Sequence, residues 1–266
     1  ATPIPRTLTM TIYGDMDISI IREKPKNRKP IKTYSKLEAK IDDVLKYINK
    51  EIKLGHQIFW VCPLIEESKK LDHSSAVKKY DYLKKKFPNQ VSLLHGKTDL
   101  DEKNLILNNF LKNKFKILVS TTIIEVGIDF PNANVIVIEN ANKFGLSQLH
   151  QLRGRVGRGD KDSTCILMFK SNLSDNAKKR IKILKNSNDG FFISEEDMKL
   201  RGFGDILGFK QSGIKNFKLA DPIHNSDLFI LAEKEMRRIE KSNEDISRFK
   251  PLIKLYDRAD IINDIA

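Results

Sequence analysis

The sequence predicts an α/β protein, a parallel sheet covered by helices. Short apolar runs rich in β-branched and aromatic residues recur along the chain, and stretches with helical spacing lie between them. A third observation sets the scale: 40% of the 266 residues are apolar, enough for a substantial core.

"QIFWVCPLI" (57–65) reads as a buried strand, with Trp60 as core. "SSAVKKYDYLKKKF" (74–87) reads as a helix and "VSLLHG" (91–96) as a short strand. "DEKNLILNNFLKN" (101–113) is helical because Leu107, Phe110 and Leu111 stand at i, i+3 and i+4. "FKILVST" (115–121) and "ANVIVIENA" (133–141) follow as strands. "SQLHQLRGRVGR" (147–158) reads as a helix and "STCILMF" (163–169) as a strand.

After Phe169 the texture changes. "SDNAKKRIKILKNS" (174–187) is a basic amphipathic helix whose Lys178, Lys179 and Lys182 read as solvated surface. "ISEEDMKLRGFGDILGFKQSG" (193–213) starts helical, then breaks into a glycine-spaced loop. "NSDLFILAEKEMRRIEK" (225–241) and "FKPLIKLYDRADIINDI" (249–265) read as two further helices. A domain boundary is expected near 170. Upstream, the Pro- and Lys-rich "REKPKNRKP" (22–30) reads as an interdomain linker.

Lysine and arginine outnumber aspartate and glutamate 48 to 35, a formal charge of +13. That excess favours a polyanion partner, nucleic acid before an anionic membrane surface. Two cysteines, Cys62 and Cys165, sit inside apolar runs and offer no disulfide framework, which points to the reducing cytoplasm. The five histidines show no ligand spacing with them, so no metal site is expected. No apolar run reaches the roughly 20 residues that span a bilayer. The chain begins with Ala1 rather than Met, so a fragment or a trimmed chain is expected.

"QLHQLRGRVGRG" (148–159) holds three arginines and three glycines. A glycine inside a helix costs about 0.5–1 kcal/mol relative to alanine, so the pattern needs a reason. At about 100° per residue, Gln151, Arg155 and Arg158 share one stripe, with Leu149, Leu152 and Val156 roughly opposite. The leucine face then seats on the sheet, and the glycines let other backbone approach between the arginines. Arginines on one stripe suggest a phosphate site. Upstream, "VSTTIIEVGIDFPNA" (119–133) puts hydroxyls at a strand's carboxyl end and an acid two residues past a glycine. Such groups suit phosphate and sugar contacts.

Together these residues resemble motifs V and VI of superfamily 2 helicases, the latter in the form QxxGRxGR. "ATPIPRT" (1–7) resembles the motif III region that ends a first RecA-like lobe, and "FWVCPLIEES" (59–68) resembles motif IV. "EDMKLRGFGDILGFKQSG" (196–213) resembles the translocation motif shared by RecG and transcription-repair coupling factors. "CPLIEES" and "FGLSQLHQLRGRVGRG" favour the RecG family. The resemblance runs over essentially the whole chain and implies a RecA-like second helicase lobe followed by a helical hairpin and loop. It implies that 1–25 end the first lobe and the linker, 26–170 form the second lobe, 171–220 the translocation hairpin and loop, and 221–266 a C-terminal helical segment.

The resemblance also implies roles. Arg155 and Arg158 match arginines that reach the γ-phosphate across the interlobe cleft, Arg158 as the finger, with Gln151 beside them. Gly127 and Asp129 match motif V residues at the nucleotide sugar and cleft. Thr121 matches a DNA-backbone contact, and His95 and Gly96 a loop at the DNA face. Arg180 and Arg201 match hairpin arginines, Gln211 the loop glutamine, and Thr2 a residue coupling the ATP and DNA sites. Phe203 departs from the family's usual proline, and Lys97-Thr98-Asp99 from its usual continuation after "HG".

ATP and Mg2+ are the implied cofactors, but their principal holders are missing from the sequence. "HGKT" (95–98) is no phosphate loop, because Val91 stands where the first glycine of that loop must be. No "DExH" element occurs, and the paired acids of "YGDMD" (13–17) read as structural. The chain is therefore expected not to hydrolyse ATP alone. Its implied partners are branched or forked duplex DNA, an N-terminal wedge domain and a first motor lobe, with no membrane. Two other readings stand beside this one: the corresponding part of a transcription-repair coupling factor, and a non-catalytic DNA-binding remnant.

Overall fold

The computed structural model describes residues 29–63, 69–96, 98–121, 130–201 and 225–242, with isolated positions at 19, 21, 23, 247, 250 and 251. Strands β1 (Lys32–Leu37), β2 (Gln57–Val61), β3 (Val91–Leu94), β4 (Ile117–Ser120), β5 (Ala133–Ile138) and β6 (Thr164–Phe169) form one sheet in the order β1-β6-β5-β2-β4-β3. Every ladder is parallel. Around the sheet lie α1 (Ile41–Lys53), α2 (Lys69–Lys86), α3 (Leu100–Leu111), α4 (Leu146–Arg153), α5 (Asp175–Asn186) and α6 (Gly190–Arg201). A further helix, α7, spans Ser226–Ser242. No described helix is long and apolar enough to cross a membrane.

Alternate residues of each central strand serve opposite faces. Phe59, Val61, Leu118, Ile136 and Ile138 enter a core shared with α3, α4, α5 and α6. Ile58, Trp60, Val119, Val135 and Val137 enter the core under α1 and α2. Both faces are buried, so the strands read as continuous apolar runs. Phe110 of α3 sits 5.3 Å from Phe59 and 5.4 Å from Phe130 between ring centroids, pinning that helix to β2 and to the approach to β5. Gln57, at the start of β2, is buried and satisfied: its Nε2 donates to the carbonyls of Phe110 (2.7 Å) and Phe115 (2.9 Å).

The α/β expectation holds, with three local corrections. First, β1 and α1 occupy a region where the apolar-run pattern shows no element. The sequence of β1, KTYSKL, is polar because it is an edge strand paired only with β6. In α1 the buried Val44, Leu45 and Ile48 do carry helical spacing. Second, α2 starts five residues earlier than 74, at Lys69.

Third, the helix expected over 147–158 stops at Arg153. The amides of Arg155 and Val156 bond back to Leu152 and Arg153, tightening the last turn into a 3₁₀-like end. Gly157 then adopts φ +72, a left-handed conformation that only glycine takes cheaply. Arg155 and Arg158 therefore lie on a turn after α4, and the single helical stripe does not form. The apolar half of the expectation holds, since Leu149, Leu152 and Val156 are fully buried.

The two thiols are core groups. Burial raises the Cys165 thiol from 9.0 to about 12, against the opposing charge of Arg153. Burial, and then Glu139, push the Cys62 thiol up as well. Unfolded, each thiol ionises near its ordinary value; folded, each stays protonated beyond it. The thiol contribution is therefore fully present below pH 9.0, and that of Cys165 is lost as pH rises toward about 12. Urea midpoints measured from about pH 8 to about pH 11 should fall more steeply for the native chain than for Cys165→Ala. Parallel curves would contradict burial of that thiol.

Candidate nucleotide-facing turn and its hairpin contacts

The arginine turn packs against the amino ends of the strands. A Cβ at Gly157 would stand 3.1 Å from Ile31 Cγ1, and one at Gly159 would stand 3.2 Å from the carbonyl oxygen of Pro131. Ile31 directly precedes β1 and Pro131 lies just before β5. Gly157 thus admits neighbouring chain between Arg155 and Arg158, and Gly159 does so just beyond Arg158. Beyond the turn, Asp162 pairs with Lys29 (3.1 Å) and Lys32 (3.0 Å), tying the loop to the entry of β1. The ammonium of Lys32 and then that of Lys29 hold the Asp162 carboxyl below its usual value.

On this turn Arg155 is half-buried and Arg158 exposed, while Gln151 sits half-buried on the last turn of α4. Burial, and then the like charge of Arg158, lower the pKa of the Arg155 guanidinium. Its Nε is buried with no hydrogen-bond partner among the described residues. Two guanidinium groups that repel, one with an unused donor among the described residues, make an arrangement that an anion would stabilise. Guanidinium donors suit phosphate oxygens in particular.

Thr121, His95 and Gly96 lie at the other end of the sheet. Thr121 follows β4 and His95-Gly96 follow β3, and these strands pair with Leu94 opposite Ser120. The Thr121 amide donates to the Leu94 carbonyl at 3.4 Å, so the three residues share one corner of the carboxyl edge. His95 is fixed by Thr98, whose Oγ1 accepts from the His95 amide at 3.2 Å and lies 3.3 Å from its Nδ1. Asp99 then caps α3, accepting from the Glu102 amide at 2.8 Å. Trp60 is fully buried, as its strand pattern implies.

The helical pair α5–α6 seats on the same core, through Ile181, Leu184 and Ile193. Its two arginines both engage the segment around α4. Arg180 Nη2 donates to the carbonyl of Asn142 at 3.0 Å, in the turn that leads to α4. Arg201 Nε donates to Asp197 at 3.2 Å, and Ser147 Oγ donates to the same carboxylate at 2.5 Å. The guanidinium of Arg201 also lies so near Gly145, the cap of α4, that a methyl group there would overlap it. Lys178, Lys179 and Lys182 are exposed.

Three contacting residues, Asp197, Ser147 and Arg153, have no role in the sequence reading. Asp197 and Arg201 carry a visible signal, the i, i+4 spacing of an ion pair. Ser147 carries none. Arg153, the remaining arginine of the run, is only 2% exposed and points away from Arg155 and Arg158 in function. Its Nη1 donates to the carbonyls of Leu184 (2.6 Å) and Ser187 (2.8 Å), at the end of α5, and to Thr33 Oγ1 (3.3 Å). Thr2, Gly127, Asp129 and Gln211 lie outside the described residues.

Residues 39–160 match the family described as helicase conserved C-terminal domain, and 187–255 match ATP-dependent DNA helicase RecG, domain 3, C-terminal. The chain is 50% identical to the ATP-dependent DNA helicase RecG of Bacillus subtilis (strain 168) over 85% of its length, and 46% identical to that of Aquifex aeolicus (strain VF5) over 96%. In each case it covers 33% of the relative, so the chain spans about a third of the length of these curated relatives. A solved structure of RecG bound to a three-way DNA junction superposes with a TM-score of 0.68 at 41% identity, over 86% of this chain and 30% of that one. On these two family models and this identity to the relatives, the chain belongs to the RecG family, as a C-terminal part of it.

Proposed function

We propose that this chain is the second motor lobe and translocation hairpin of an ATP-dependent DNA helicase. Its substrates would be branched DNA, stalled replication forks and Holliday junctions, in recombination and repair in the cytoplasm. The arginine turn carries the reading: Arg155 and Arg158 stand together with an unused buried donor, at the end of the sheet opposite Thr121, His95 and Gly96. That separation suits an enzyme that holds nucleotide at one end of a lobe and DNA at the other. The names of the relatives and the junction-bound structure support this assignment over a transcription-repair coupling factor.

A first motor lobe would supply the phosphate loop and the magnesium acid that this sequence lacks, and a wedge domain would split the fork. ATP, when bound, supplies the γ-phosphoryl group, and Mg2+ neutralises its charge. Arg158 would place its guanidinium on the charge that develops during transfer, an effect worth about 10³–10⁵ in rate. Arg155 and Gln151 would hold the phosphate chain beside it. Gly127 and Asp129 would line the cleft at the sugar. Thr121, His95 and Gly96 would meet the DNA backbone, and Thr2, Arg180, Arg201 and Gln211 would couple the two ends.

ATPase activity should appear on forked DNA only when the first motor lobe is present, in cis or as a separate polypeptide. Arg158→Ala should lower that activity by about 10³-fold or more while fork binding at fixed salt is unchanged. An unaltered rate would remove the finger assignment. Arg201→Ala and Gln211→Ala should behave differently, with ATP still consumed and fork unwinding reduced. If both activities dropped in proportion, the coupling role would be wrong.

A further inference from the structure

The run "QLRGRVGRG" offers three arginines to a phosphate site, but only two are placed for one. Arg153 is buried at the end of α4, two residues before Arg155. Its guanidinium sits at the carboxyl end of α5, where backbone carbonyls lack helical partners and the helix dipole is negative. It bridges Leu184 and Ser187, the last turn and the cap of that helix. His150 Nδ1, one turn back on α4, lies 3.3 Å from its Nη2. One planar group thus joins the root of the arginine turn to the first helix of the hairpin.

We infer that Arg153 is a positioning residue that carries displacement of the Arg155–Arg158 turn into α5 and so into the translocation hairpin. This rests on the reading of the chain as a motor lobe. The polar contacts of Arg180, Asp197 and Arg201 meet the amino end of α4 or the turn before it. Arg153 instead ties the hairpin to the end where nucleotide would be sensed. A lysine could not replace it, because a single ammonium lacks the fixed fork that reaches both carbonyls and Thr33 at once.

The test compares Arg153→Lys with Arg158→Ala in the motor that includes the first lobe. For Arg153→Lys, kcat and KM for ATP on forked DNA should stay within about twofold of the native enzyme, while base pairs unwound per ATP fall at least about fivefold. Thr33→Val removes one partner without altering the run, and should lower the same ratio by a smaller factor. For Arg153→Ala, added methylguanidinium should restore unwinding per ATP. Unwinding per ATP unchanged in both Arg153→Lys and Thr33→Val overturns the inference. So does a loss of ATPase and unwinding in equal proportion. A native motor with no DNA-stimulated ATPase would instead overturn the reading beneath it, whereas a native motor silenced by Arg158→Ala but indifferent to Arg153→Lys would overturn the inference alone.

Discussion

A parallel sheet with both faces buried leaves only its two ends for chemistry. Helices cover each face here, so polar groups gather where strands begin and where they stop. The arginine turn sits by the amino ends of β1 and β5, and Thr121, His95 and Gly96 sit past the carboxyl ends of β4 and β3. Strands of this length rise about 3.3 Å per residue, which separates the two ends by roughly 13–20 Å. The strands themselves are locked by ladders and cannot slide. Anything passed from one end to the other must travel through the flanking helices and loops.

Helix α4 is the element placed to do this. It begins near the carboxyl edge after β5 and ends at the arginine turn. Leu146, Leu149 and Leu152 bury its apolar side, each worth about 1.5–3 kcal/mol relative to exposure. At its first turn, the carboxylate of Asp197 accepts from Ser147 and from Arg201. At its last residue, Arg153 reaches the end of α5. Its eight residues are too few for stability as an isolated helix in water, so these contacts and the core define its position. An element held only by tertiary contacts moves as a unit with whatever holds it.

Much of this was legible in the sequence. Central strands and most helices follow from apolar periodicity, because burial on two faces writes itself into every residue of β2, β4 and β5. The edge strand β1 is different: KTYSKL has one buried side chain in full and one neighbouring strand, so its composition looks like a loop. The arginine run misleads for another reason. Continuing a helical wheel through Gly154 and Gly157 assumes the backbone stays helical, yet φ +72 at Gly157 turns it away. Gln151, Arg155 and Arg158 therefore do not share the stripe that a continuous helix would give them. Side-chain contacts between distant segments, such as Ser147 with Asp197, depend on packing between helices and leave no local pattern.

The arginines show how far composition can go. A charge of +13 counts every cation alike, but the fold divides them. Arg153 donates to backbone carbonyls inside the protein, Arg180 donates to one through Nη2 while its Nε is buried without a partner among the described residues, and Arg201 shares a buried carboxylate with a serine. These donors are committed to the fold, and the desolvation of the buried ones is offset only while the acceptors stay in place. The surface excess comes from elsewhere, including the exposed Lys178, Lys182 and Lys185, which line an open groove together with Leu37 and Phe169. Arg155 belongs to neither group. It is partly buried, beside another cation, with a donor unused among the described residues. What sets Arg155 apart is the neighbouring cation: burial and the charge of Arg158 both disfavour its charged form, a cost that an anion placed there would offset.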